Sequence, residues 1–165
     1  MIDISGFGTG ITIIATTSFP VGFTLSSFAD DEDALNVENT EVSGYEKLYD
    51  GSIFTFDKTS PLLLSVGVIP NSSDDSNLKV LMQMRKSSPQ LLPIVDTTSC
   101  VICYADGGKV AMSNGTILSG ALADSLTAQG RKKGNVYHFV FGTFAGAQSA
   151  SELVQSVAQN IGPLL

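Results

Sequence analysis

Cysteines at 100 and 103, in "SCVICYAD" (99–106), have the C-x-x-C spacing used by redox centres and zinc sites. The residues between them, Val101 and Ile102, favour strand, and in a strand residues three apart point to opposite faces. Thiols so arranged share neither a metal nor a disulfide, and no second cysteine pair completes a four-ligand set. Cys100 and Cys103 therefore read as structural thiols. The Gly-rich "GFGTG" at 6–10 has the composition of a phosphate loop, but such a loop follows a strand and opens a helix, whereas this one opens "ITIIATT". It reads as a turn or a flexible start. His138, the single histidine, lies in "NVYHFVF" with Val136 and Val140 on its face and Tyr137, Phe139 and Phe141 on the other. No nucleophile is partnered with it in sequence, so it reads as a structural strand residue.

The remaining chemistry is electrostatic. Asp30, Asp31, Glu32 and Asp33 stand side by side, and residues 30–50 hold eight of the sixteen acids and one base, Lys47. That segment accounts for the formal charge of −7, and the rest of the chain balances at eight against eight. Calcium loops of the EF-hand type place ligands at alternating positions with a Gly at the sixth and a Glu at the twelfth, and the spacing from Asp30 or Asp31 does not fit. A solvated acidic loop, or one that meets a basic partner, is the better reading. The basic counterpart is Arg131, Lys132 and Lys133, held between glycines in "GRKKG". No catalytic residue, cofactor or metal is expected, because an enzyme needs a convergent set of titratable groups that this chain does not offer.

Composition narrows the class further. The 165 residues suit one domain spanning 1–165. Hydrophobic residues make up 43% and charged residues 15%, below the ~25% of an ordinary soluble domain. Mean hydropathy is +0.22. Burial against other subunits explains so little surface charge, since the longest apolar runs, such as "PLLLSVGVIP", fall short of the ~20 residues of a spanning helix. No membrane insertion is expected, and "MIDISGFGTG" lacks the basic start of a secretory signal, which implies synthesis in the cytoplasm. A pI near 4.4 argues against specific nucleic-acid binding.

Short β-branched or aromatic runs between turn signals predict strands at 10–17, 21–28, 51–57, 62–69, 99–106, 109–113, 116–123 and 135–144. "DGGK" and "SNGT" supply Gly and Asn for hairpin turns at 106–109 and 113–116. The expected fold is mainly β, an antiparallel β-sandwich or barrel with a flanking helix. That helix, at about 74–87, follows from Leu78, Leu81, Met82 and Arg85 at i, i+3, i+4, i+7, with Asp74 and Asp75 at its start. A second helix is expected at about 150–161, opened by Ser149 and Glu152. Residues 29–50 show neither period and read as a long acidic loop.

Three stretches, "TLSSFADDEDALNV", "SPLLLSVGVIPNSSDDSNLKVLMQMRK" and "VAMSNGTILSGALADSLTAQGRKKGNVYHFVFG", together resemble the tail tube proteins of contractile-tailed bacteriophages. They look like that family's early strand and acidic loop, its central strand with following helix, and its closing hairpin. The resemblance implies a hexameric ring with a continuous inner β-barrel, the rings stacking into a tube inside a contractile sheath in the tail of the virion. It also implies a homo-oligomer that meets sheath, baseplate and tail terminator proteins. A tape measure protein would occupy its lumen before ejection, and DNA would then pass through without specific binding. Head-to-tail stacking calls for unlike ends, which makes Asp30, Asp31, Glu32 and Asp33 against Arg131, Lys132 and Lys133 the expected inter-ring contact. The tube of a related contractile injection or secretion system is the alternative, with a β-sandwich ligand-binding domain behind it.

Elemental analysis of the purified protein should find no stoichiometric zinc, and replacing Cys100 or Cys103 with Ala or Val should leave assembly intact. One zinc per chain, lost on mutation, would contradict the strand argument.

Overall fold

Alternation of apolar and small polar residues builds the main sheet. In the computed structural model the described residues are 6, 8–91, 96–105 and 107–145, with the backbone alone over 87–91. Strands β1 (Gly10–Ala15), β2 (Phe19–Leu25), β3 (Leu35–Val37), β4 (Ser43–Lys47), β5 (Ile53–Asp57) and β6 (Leu62–Val68) precede the helix α1 (Ser73–Leu91). Strands β7 (Thr98–Cys103), β8 (Lys109–Ser119) and β9 (Asn135–Ala145) follow it. Seven of these form one antiparallel sheet in the order β2-β1-β7-β8-β9-β6-β3, while β4 and β5 form a separate hairpin. The fold is mainly β with one helix, and the large sheet curls into a half-barrel.

The inside of the curl is the core. Ile11, Ile13, Leu64, Val66, Cys100, Ile102, Tyr137, Phe139 and Phe141 are buried there, each on the same face of its strand as its cross-strand neighbours. Helix α1 closes the curl by burying Leu78 and Leu81, with Met82 packed beside them, as their i, i+3, i+4 spacing requires. Fully burying each leucine stabilises the fold by ~1.5–3 kcal/mol. The first turn is fixed by Ser72, whose Oγ accepts a hydrogen bond from the Asp75 amide at 3.2 Å. Asp74 reaches out of that turn to accept the amides of Ser26 and Ser27 at 2.8 and 2.9 Å, which ties the helix start to the end of β2.

Two sequence expectations need correction. The expected turn at 113–116 is absent, and β8 runs straight through it. Asn114 takes the left-handed φ of 55° that marked it as a turn residue, but it serves a bulge, where Thr98 to Cys100 on β7 faces Gly115 to Met112 on β8. The expected strand at 51–57 is β5, which pairs with β4 outside the main sheet. The segment 29–50 carries two strands, β3 on the edge of β6 and β4 in the hairpin, so only its first turn and its linkers are loop. The expected helix at 150–161 lies outside the described residues.

The bulge also explains a glycine. A Cβ at Gly115 would overlap the Val140 carbonyl oxygen and the Phe141 ring, so β8 and β9 approach more closely than any side chain permits. Gly115→Val should lower unfolding free energy by about 3 kcal/mol in a denaturant titration. Gly142→Ala, whose added Cβ would lie 3.6 Å from its nearest neighbour, should stay close to wild type. Equal stability of the two variants would show that the close approach does not exist.

Candidate assembly surfaces and the network behind them

Asp75, on the first turn of α1, is 1% exposed and is the hub of a polar network. Its Oδ1 accepts hydrogen bonds from the Tyr137 hydroxyl at 2.7 Å and the Asn135 side-chain amide at 2.8 Å, both from β9. Its Oδ2 lies 3.1 Å from Lys79 Nζ, one helical turn on. Lys79 also meets Asp124 at 2.5 Å, and Asp124 receives Lys132 at 2.8 Å and Asn135 at 3.0 Å. The helix, the start of β9 and the 120–134 connection are thereby joined through two carboxylates and two ammonium groups. Hydrogen bonds from Lys132, Lys79 and Asn135 hold the Asp124 carboxyl well below the usual carboxylate range. Asp124 in turn raises Lys79, with Asp75 adding to the effect, while burial and the Asp75 hydrogen bond push the Tyr137 phenol up. The sequence showed Asp74 and Asp75 only as favourable charges at a helix start. Asn135 and Asp124 carried no periodic signal at all.

The acidic loop and the basic turn meet within one chain. Arg131 forks onto Asp30 at 2.8 and 3.4 Å, Lys133 pairs with Glu32 at 3.3 Å, and the Asp31 carboxylate accepts the Gly134 amide at 3.2 Å. Lys132 turns inward to Asp124 and to the Asn71 side-chain oxygen. The backbone of Asp33 crosses β6, where a Cβ on Gly67 would lie 2.6 Å from the Asp33 carbonyl oxygen. The hydrogen bond from Arg131, with its charge adding a smaller part, lowers the Asp30 pKa, although both side chains are more than half exposed and screened by water and salt. These contacts form a ridge, with Lys132 set behind it, that fastens the 30–33 turn over the start of β9.

Two surfaces remain. The face of the large sheet opposite the core presents Thr12, Ile14, Ser99, Val101, Cys103, Thr116, Leu118, Val136, His138, Val140, Leu63 and Ser65 in adjoining strands. Lys109, at the end of β8 opposite Cys103, is the only Lys, Arg, Asp or Glu on that face within the described strands. Cys100 points the other way into the core, where burial pushes its thiol up to about 12, so the two sulfurs lie on opposite faces of the sheet. Among the described residues no group of His, Cys, Asp and Glu is arranged to hold a metal, and no helix is long and apolar enough to cross a membrane. The second surface is the β4–β5 hairpin, where every β5 residue is exposed, Ile53 and Phe54 included, and so is Tyr45 on β4. The aromatic run at 51–57 was legible as a strand, but nothing in it showed that the strand stands apart from the main sheet.

Asp75→Ala leaves Tyr137, Asn135 and Lys79 facing a buried void, and its cost should be about 3–5 kcal/mol by chemical denaturation. A smaller loss, within 1 kcal/mol, would mean the network is not a support. Asp124 sets a pH signature: its folded pKa is depressed, so its contribution is complete above the unfolded value near pH 4 and fades as pH falls below it. The stability gap between wild type and Asp124→Asn should therefore be flat from pH 5 to 8 and narrow below pH 4. A gap unchanged at pH 2.5 would contradict this assignment.

Comparison with known proteins places this arrangement. The described fold is similar to a chain in the cryo-EM structure of the anti-feeding prophage baseplate, 6-fold symmetrised, with a TM-score of 0.56 at 10% identity, covering 90% of this chain and 99% of that one. It is similar to a chain in the sheath/tube terminator of the extracellular contractile injection system PVC in its extended state, with a TM-score of 0.54 at 14% identity over 88% and 96%. A chain in the tube-terminating cap of the anti-feeding prophage gives 0.52 at 12% identity over 89% and 93%. At such identities the likeness is one of fold. No curated protein sequence matches significantly. The family described as tail fiber protein gp32 matches residues 2–145, which takes in every strand and the helix described above, and the chain belongs to that family.

Proposed function

We propose that the chain is a structural subunit of a contractile phage tail, of the tube class, whose copies form hexameric rings stacked along the tail axis. The observation that carries this reading is the curled seven-stranded sheet with one face committed to the core and the other almost free of charge, ending in two open edge strands, β2 and β3. An open edge is a liability in a monomer and a joint in a ring, where the neighbouring subunit covers it. A surface with so little charge offers no grip to a phosphate backbone, and whatever part of it neighbouring subunits leave uncovered suits the wall of a conduit through which DNA must slide. The likeness of nearly the whole chain to subunits of baseplate, terminator and cap assemblies supports a place near the tail axis. On this reading the partners are further copies of the chain, the sheath, the baseplate and the terminator, with a tape measure protein in the lumen before ejection, and the role is not enzymatic.

The ridge of Asp30, Asp31, Glu32, Asp33, Arg131, Lys132 and Lys133 is proposed to take part in the contact between rings. Its charges already pair within the chain, so it would act there as a preformed, salt-sensitive edge.

Negative-stain electron microscopy of the purified protein tests the reading. Rings with a central hole, or tubes built from them, are expected, and raising salt should separate tubes into rings before rings dissolve. Slender fibres without a lumen would move the protein to a fiber role, and uniform monomers under all conditions would end the tube proposal.

A further inference from the structure

The β4–β5 hairpin is an arm that stands apart from the large sheet, with no covering layer among the described residues. Its base is held by a hydrogen bond from the Lys58 amide to the Val42 carbonyl at 2.9 Å and by a Lys58–Glu41 ion pair at 3.1 Å. Its tip is closed by Gly51, at a φ of 89°, and by Asp50, whose carboxylate accepts the Ser52 amide and hydroxyl. Cross-strand pairing gives it two faces. Phe54 and Phe56 lie on one, with Phe56 covering Gly44. Tyr45, Ile53 and Lys47 lie on the other, with Tyr45 74% and Ile53 67% exposed. Lys47 has no ion-pair or hydrogen-bond partner among the described residues.

A surface of matching character exists on the large sheet. A groove of about 300 Å³ opens between β6, β8 and β9, walled by Leu63, Leu118, His138 and Phe139. Leu118 is 55% exposed at its mouth. Its one acid is Glu38, just past β3, whose side chain is likewise without a partner among the described residues. The groove has room for an aromatic or aliphatic side chain, and the exposed Glu38 carboxylate stands at its rim.

We propose that the hairpin of one subunit seats Tyr45 and Ile53 in this groove on a second copy of the chain, with Lys47 paired to Glu38. Apolar surface meets apolar surface, and the single free base on that hairpin face meets the single free acid of the groove. The contact joins two different patches, so it is heterologous and propagates from copy to copy, closing into a ring when the rotation allows. It rests on the reading of the chain as a self-assembling subunit, and it adds which surfaces hold neighbours together.

Two variants, Lys47→Cys and Glu38→Cys, each made with Cys103→Ser so that the buried Cys100 is the one native thiol left, should be mixed, assembled and oxidised, and the disulfide located by peptide mass spectrometry. A bond between positions 47 and 38 can form only between different chains in such a mixture. In an equal mixture about one contact in four brings the two cysteines together, the bond is expected at nearly all of those, and its formation establishes the contact whatever particle is seen by microscopy. Rings or tubes without this bond would overturn the contact while leaving the tube reading intact, and would assign the hairpin to a different tail protein. An absence of both rings and bond overturns both. A double variant carrying Lys47→Cys and Glu38→Cys in one chain, if it closes internally as a monomer while the mixture does not cross-link, shows the arm folding onto its own groove and also overturns the proposal. In parallel, Lys47→Glu or Glu38→Lys should raise the protein concentration needed for assembly roughly tenfold or more, since like charges would then face each other, and the double reversal should restore it. No change in either single variant would count against the pairing.

Discussion

One buried carboxylate carries much of the architecture. Asp75 is almost wholly removed from water, a placement that is costly unless every lone pair is occupied, and here the Tyr137 hydroxyl, the Asn135 amide and Lys79 occupy them. These partners come from the sheet and from the helix itself, so the carboxylate is satisfied only when α1 lies across the curl in one register. Leu78 and Leu81 supply burial but little direction, because a leucine face tolerates sliding. The polar hub supplies the direction.

The position of the 120–134 connection follows from the same hub. Asp124 is held by Lys79 from the helix and by Lys132 from its own segment, which brings Arg131 and Lys133 to where Asp30 and Glu32 lie. A network buried behind the sheet thereby sets the position of a charged ridge on the surface. The order of dependence runs from the core outward, and the exposed ion pairs are its last and weakest members.

Much of this fold was legible in the sequence, and for identifiable reasons. Strand β9 could be read because Tyr137, Phe139 and Phe141 alternate with Val136, His138 and Val140, and α1 because its leucines repeat every turn. The 113–116 turn was misread because Asn-Gly states a backbone preference and nothing about whether a partner strand on each side turns that conformation into a bulge. The strand at 51–57 was legible but its exposure was not: Ile53, Thr55 and Phe56 have the composition of buried strand, and only the absence of a covering layer among the described residues distinguishes them. The acid and basic clusters were visible as opposite charges, but 101 residues separate Arg131 from Asp30, and their meeting within a chain follows from strand order alone.

An isolated two-stranded hairpin is marginally stable in water, and among the described residues this one has no third strand to lean on. Were it to order on a neighbouring subunit, as proposed above, the first contact would bear an entropic penalty that later contacts, made to arms already ordered on a growing particle, would share less. A subunit built this way would be slow to nucleate and quick to elongate, with growth on an existing template favoured over spontaneous polymerisation. That difference in rates would reside in the lack, among the described residues, of a packing partner beneath the five exposed residues of β5.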